Sequence, residues 1–281
     1  MTTVENALFL LLGLVTAFVI LPLLMEIITR SGFVRPNYRG IQIPVAVGLL
    51  FFLVPLLILS VTYLIADLAQ FRTQIVVFLF VIGSMAILGL IDDAFGSRRA
   101  SGLKGHFRRL LRGELTTGAL KAIGGLTVAF LASLTTAPLN HIVVNTLIIA
   151  LAANALNLMD LRPGRAAKGY LLAAALLFAV AWTNPLLFLP AVMTGAVLAY
   201  FPFDLRARAM MGDSGSNILG ASLGLAAVWV LALPVKIGIL VFLIGFHLLT
   251  ERYSLTEIIS RNRVLHFLDR LGRKREEFSE K

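Results

Sequence analysis

Cysteine is absent from the 281 residues and charge is scarce, with only 14% of the chain Asp, Glu, Lys or Arg. A soluble domain carries about 25% charged residues to keep its surface hydrated. The lack of Cys excludes a disulfide framework, a thiolate metal site and a Cys nucleophile. The shortage of charge excludes an ordinary soluble enzyme and a disordered chain. What remains is apolar: 58% of the residues are hydrophobic, and the mean hydropathy is +0.89. These values describe an all-α, polytopic membrane protein.

A bilayer core needs about 20 apolar residues per helix. Nine runs qualify, near 7–29, 43–66, 74–91, 117–134, 141–158, 167–183, 185–201, 215–231 and 234–250. The pairs divided only by Asn184-Pro185 and by Leu233-Pro234 are the least distinct. The first run has no basic leader and no small-residue cleavage site, so it reads as a retained helix. With the N-terminus outside, all of the 25 basic residues except Arg72 and Lys236 fall on or beside cytoplasmic segments. So one-sided a distribution predicts a cytoplasmic C-terminus. It also accounts for the net charge of +10 without a nucleic-acid partner. The outside connections are short, so the polar chemistry lies at the cytoplasmic face.

Four constellations gather there. Asp92 and Asp93 end the third run in Gly89-Leu90-Ile91-Asp92-Asp93. Adjacent helical residues diverge by about 100°, so one carboxylate can hold a metal while the other acts on a substrate proton. A solvated helix end is the plainer reading. Asn154, Asn157 and Asp160 form a stripe at spacing three at the end of the fifth run; they line a cavity or act as interhelical hydrogen-bond glue. Met211-Gly212-Asp213-Ser214-Gly215 precedes the eighth run. Its helix N-terminus suits phosphate and Asp213 suits Mg²⁺, or the segment is a simple cap. Arg162, Arg165 and Lys168 follow Asp160 and clamp a diphosphate or anchor the topology. Of the histidines, His141 and His247 sit near or in apolar spans, whereas His106 and His266 lie in basic segments within reach of a substrate. Carboxylates, a hard cation and a cationic clamp at a membrane face are the parts needed for phosphoryl transfer onto a lipid phosphate.

Gly89-Leu90-Ile91-Asp92-Asp93, Asn154-x-x-Asn157-x-x-Asp160 and Met211-Gly212-Asp213-Ser214, in this order, resemble the polyprenyl-phosphate N-acetylhexosamine-1-phosphate transferases, which include phospho-N-acetylmuramoyl-pentapeptide transferase. The Pro44 to Gly48 segment and Lys121 are similar to further family features. The resemblance covers about residues 35–250. It implies a transferase domain over 1–264 with a charged tail at 265–281, in a bacterial cytoplasmic membrane and in cell-envelope polymer synthesis. It also implies transfer of a sugar-1-phosphate from a UDP-sugar to undecaprenyl phosphate with release of UMP. Mg²⁺, or Mn²⁺ in its place, would be the cofactor, and a homodimer is a family habit. Carried over by position, Asp213 and Asp92 would hold the metal, with Asp92 nearest the lipid phosphate and Asp93 supporting it. Asn154, Asn157 and Asp160 would line the nucleotide-sugar cleft. Lys121, Arg162, Arg165, Gly212, Ser214 and His266 would contact substrate.

Three departures stand out. Pro163 occupies the place of the family's second Asp in this motif, beside two Arg. The last cytoplasmic segment offers only His266 where the family is His-rich. A short charged tail stands where the family has a tenth span. A non-catalytic paralogue that binds polyprenyl phosphate or scaffolds envelope assembly is the alternative expectation. A transporter is a weaker one, because the polar groups avoid the bilayer midplane.

Overall fold

The computed structural model describes residues 3–65, 69–96, 109 and 112–273. Arg98, Arg99, Lys104, His106, Arg108 and the tail beyond 273 lie outside the described residues. The described chain is almost entirely helical. Its long helices are α1 (Thr3–Arg30), α2 (Leu50–Ile65), α3 (Arg72–Phe95), α4 (Thr117–Thr136), α5 (Ile142–Met159), α6 (Arg165–Ala181), α7 (Phe188–Leu205), α8 (Gly212–Val230) and α9 (Leu233–Arg252). Two short helices follow, α10 (Leu255–Arg261) and α11 (Arg263–Arg270).

Each of the nine apolar runs is a helix among the described residues, and both doubtful divisions separate distinct helices. At the first, the Asn184 side chain accepts from the Leu186 amide at 3.0 Å, with Pro185 opening the next turn. At the second, Pro234 sits in the first turn of α9, where its missing N–H costs nothing. Among the described residues, seven helices are long and apolar enough to cross a membrane: α1 to α5, α7 and α9. Length and composition alone single out seven of the nine expected spans. α6 has only 17 residues, and α8 opens on Gly-Asp-Ser-Gly-Ser-Asn.

α8 is the hub of the bundle. It packs against α3 and α5 along much of its length and touches α2, α6 and α7. Every residue from Ser214 to Ser222 is buried. Small residues permit this, because backbones must approach closely where there is no aqueous drive between helices. The hydroxyls bond within the helix: Ser216 Oγ donates to the Gly212 carbonyl at 3.0 Å and Ser222 Oγ to that of Leu219 at 2.9 Å. α1 packs on α7 in the same manner. A Cβ on Gly195 would stand 2.1 Å from the Leu10 carbonyl oxygen. Toward the outside, α1 and α9 leave Val15, Phe18, Ile27, Val241, Phe242 and Leu248 exposed, as lipid-facing helices do.

The second run differs from its expected bounds. Its first residues end the second strand of an antiparallel hairpin, β2 (Gln42–Pro44), which pairs with β1 (Val34–Pro36) ahead of the run so that Val34 faces Pro44. The helix proper begins only at Leu50, after Ala46 takes a left-handed φ of 60°. The hairpin supports the segment before α8. Met210 N–H donates to the Pro44 carbonyl at 2.9 Å, Val47 N–H to Met210 at 3.0 Å and Gly48 N–H to Met211 at 3.1 Å. Asn37 Nδ2 donates to the Ala207 carbonyl at 3.1 Å.

Gly195→Ala is expected to destabilise the protein by roughly 1–3 kcal/mol, since a methyl group cannot enter so close a helix contact without displacing α1. Thermal unfolding in detergent measures this, and an unchanged midpoint would refute the contact.

Candidate active site

The site forms where the C-terminal ends of α3 and α5 meet the N-termini of α4 and α8. Asp92 and Asp93, adjacent in sequence, diverge from α3 toward different partners. Asp93 is 6% exposed, and its two carboxylate oxygens accept the amides of Asp213 at 2.8 Å and Ser214 at 2.9 Å. Those amides open α8 and have no acceptor within their own helix. A carboxylate there also sits at the positive end of the helix dipole. Asp93 therefore caps α8 from a neighbouring helix, and the Arg35 guanidinium donates to its backbone carbonyl.

Two glycines make this approach possible. Gly212 has φ +72°, and a Cβ on it would lie 2.5 Å from the Asp93 carboxylate. A Cβ on Gly89, one turn before Asp93, would lie 2.4 Å from the Ser214 backbone.

Asp92 turns the other way. Its carboxylate meets Lys121 Nζ at 2.8 Å, and the same ammonium hydrogen-bonds the Asp213 carboxylate. Thr116 fixes the start of α4 by accepting the Ala119 amide at 3.1 Å, which places Lys121 in the second turn. The side chains of Asp92 and Lys121 keep 17% and 16% of their exposure and Asp213 keeps 31%. The cluster thus opens at Asp213. Asn217 Nδ2 donates to the Asp213 carbonyl at 2.5 Å.

Among the described residues no three His, Cys, Asp or Glu gather as a metal cage. Two carboxylates beside open space nevertheless suit Mg²⁺, which binds through one or two carboxylates with substrate phosphates and water completing its shell. Asp92 and Asp213, already close enough to share one ammonium, supply that donor set.

The second motif arrives on α5. Asn157 Nδ2 donates to Ser216 Oγ at 3.1 Å, which ties α5 to the first turns of α8. Asn154 lies one turn earlier and is partly buried. Asp160 ends α5. Burial and the negative charges of Asp204, Asp213 and Asp93 push its carboxyl well above the usual carboxylate range. Asp160 therefore belongs electrostatically to the same acidic group. The folded state holds its proton to higher pH than the unfolded chain does, so stability falls as pH rises above about 4 and Asp160 ionises.

Two expected substrate contacts are committed to partners within the protein. Ser214 is fully buried, its amide taken by Asp93 and its hydroxyl by the Met211 carbonyl at 3.3 Å. The first amides of α8 are likewise occupied by Asp93 and are not free for phosphate. Arg165 is 4% exposed, and its guanidinium is committed to Asp269 at 2.7 and 3.1 Å and to Thr256 Oγ1 at 3.2 Å. Burial alone would raise the Asp269 carboxyl, but the Arg165 hydrogen bonds and the Arg273 charge hold it below its ordinary value. The stability it contributes is present above about pH 4 and is lost as pH falls through the folded value. Of the proposed clamp, Arg162 alone is exposed. His266 sits on α11, and no hydrogen bond or ion pair joins it to the Asp92–Lys121–Asp213 cluster among the described residues.

The sequence model of glycosyl transferase family 4 matches residues 75–231, from the first turn of α3 to the end of α8. The match covers more than half of the chain. The chain belongs to glycosyl transferase family 4. No curated protein matches it. Membership in family 4 supports sugar-phosphate transfer to a polyprenyl phosphate as the general reaction. The family 4 match includes every member of the acidic cluster and Lys121, while α9, α10 and α11 lie beyond it.

Sequence reasoning passed over Asp204, at the end of α7. It is 4% exposed, and its Oδ2 has no hydrogen-bond partner among the described residues. The signal was available, since a lone carboxylate at the edge of an apolar span is costly in the way Asp92 is.

Asp93→Ala is expected to leave two buried amides unsatisfied, at roughly 1–3 kcal/mol each, and to lower the unfolding midpoint in detergent. An undiminished midpoint would remove Asp93 from its capping role. Asp204→Asn removes the foremost like charge facing Asp160. The Asp160 carboxyl should then titrate at lower pH by isotope-edited infrared spectroscopy, and an unmoved titration would separate the two groups.

Proposed function

We propose that this protein transfers a sugar-1-phosphate, of the N-acetylhexosamine class, from a UDP-sugar to undecaprenyl phosphate and releases UMP. The observation that supports this reading is the convergence of Asp92, Asp213 and Lys121 from three helices at one end of the bundle, in the matched family region. By the distribution of basic residues that end is cytoplasmic, where nucleotide sugars are found.

In the reaction, a non-bridging oxygen of the lipid phosphate attacks the β-phosphorus of the donor. The bond from that phosphorus to the bridging oxygen breaks, and UMP leaves with the bridging oxygen. The product is a lipid diphosphate sugar, so charge balances across the step. Little covalent work falls to the protein, and positioning with charge neutralisation supplies the rate. Mg²⁺ held by Asp213 and Asp92, or Mn²⁺ in its place, would neutralise the diphosphate when bound. Lys121 holds a phosphate oxygen and keeps the two carboxylates from repelling the substrate. Asp92 orients the acceptor phosphate or takes its proton. Asn157 and Asp160 line the donor cleft, and Arg162 reaches the diphosphate from the following turn.

The test is UMP release with Mg²⁺, undecaprenyl phosphate and a panel of nucleotide sugars. Asp213→Asn should cost roughly 100-fold or more in turnover, with Lys121→Met comparable, while Arg162→Ala should raise the donor KM. Activity that survives Asp213→Asn would overturn the metal assignment. Silence of the wild-type chain across the panel would favour a binding role without catalysis.

A further inference from the structure

α11 is amphipathic in the wrong sense for a protein surrounded by water. At about 100° per residue, Val264, Phe267, Leu268 and Leu271 fall on one arc, and Arg263, His266, Asp269 and Arg270 on the other. Surface helices normally turn the apolar arc inward. Here the polar edge meets the protein. Asp269 takes the Arg165 guanidinium at 2.7 Å and Arg273 at 3.0 Å. Lys168 Nζ donates to the carbonyls of Leu268 at 2.9 Å and Asp269 at 2.8 Å, neutralising the negative end of the helix. Arg273 Nε donates to the Pro163 carbonyl at 2.8 Å.

The apolar arc is consequently turned outward, with Val264 67%, Phe267 63%, Leu268 48% and Leu271 54% exposed. Its position along the chain identifies what covers it. α9 is long and apolar enough to be a membrane span and ends at Arg252; α10 begins three residues later. α11 therefore starts close to the bilayer surface and, at eight residues, is too short to cross it. Arg252 and Arg263 are exposed in the same stretch and match anionic headgroups, while Arg261, also exposed, is paired with Glu257.

We propose that α11 is an interfacial anchor, lying in the plane of the membrane with Val264, Phe267, Leu268 and Leu271 sunk into the headgroup boundary of the bilayer that holds the spans. Such helices bury their apolar face about 5–10 Å deep. The Asp269 ion pairs then fix the turn from Arg162 to Arg165, and with it the end of α5 at Asp160, at a set depth below the lipid surface. The inference rests on the membrane spans and the α11 contacts, so it stands whether or not the transferase reading does.

The absence of native cysteine makes the test direct. Single-cysteine variants Phe267→Cys, Leu271→Cys, His266→Cys and Ser260→Cys are labelled with an environment-sensitive fluorophore. Each is placed in nanodiscs of equal phosphatidylcholine and phosphatidylglycerol. The labels at 267 and 271 should emit blue-shifted, be quenched by lipids carrying a shallow doxyl group and resist aqueous iodide. The labels at 266 and 260 should be quenched by iodide. Iodide access at 267 and 271 would overturn the proposal. So would shielding at 267 and 271 that is lost in discs holding one copy, which would place this face between two copies of the chain.

Discussion

The carboxylate of Asp93 at the head of α8 is the constraint on which the rest of the site depends. It converts the junction of two buried helices, which would leave amides stranded in an apolar bundle, into a satisfied one. Once α8 is fixed there, Asp213 in its first turn has a defined position. The hairpin braces the same segment from the opposite side through Met210 and Met211. The close glycine contacts at Gly89 and Gly212 follow from this bond, since only a bare backbone lets α3 approach it.

Lys121 answers a different problem. Asp92 and Asp213 would repel each other at the edge of a low-dielectric region, and one ammonium from α4 relieves both. The pair Asp92 and Asp93 thereby divides labour by geometry alone. One residue points into the bundle and holds it together; its neighbour, rotated by about a third of a turn, faces the opening.

The helices were legible because each is an apolar run ended by Pro, Asn, Gly or charge, and hydropathy responds to that directly. The carboxylates of the site were legible for a related reason, because ionised groups at span ends are too costly to be incidental. What periodicity does not carry is the partner. Nothing in the local sequence distinguishes Asp92, which faces Lys121, from Asp93, which caps a helix 120 residues later. Arg165 reads as a phosphate ligand from its neighbours and is instead spent on Asp269, 104 residues away. The hairpin escaped notice because three-residue strands leave almost no alternation, and its segment looked like the start of a span.

The same long separation sets the order of events when the protein is made. Asp93 emerges with α3, but the amides it caps lie 120 and 121 residues further on. At ribosomal speeds of 5–20 residues per second the interval is about 6 to 24 s. During that time α3 sits in or at the bilayer with its C-terminal acid lacking its final partners. The hairpin likewise waits for Met210 before its outer edge is paired. The polar centre of this bundle is therefore closed late in synthesis, by the arrival of a helix whose leading turns carry Gly-Asp-Ser-Gly-Ser-Asn.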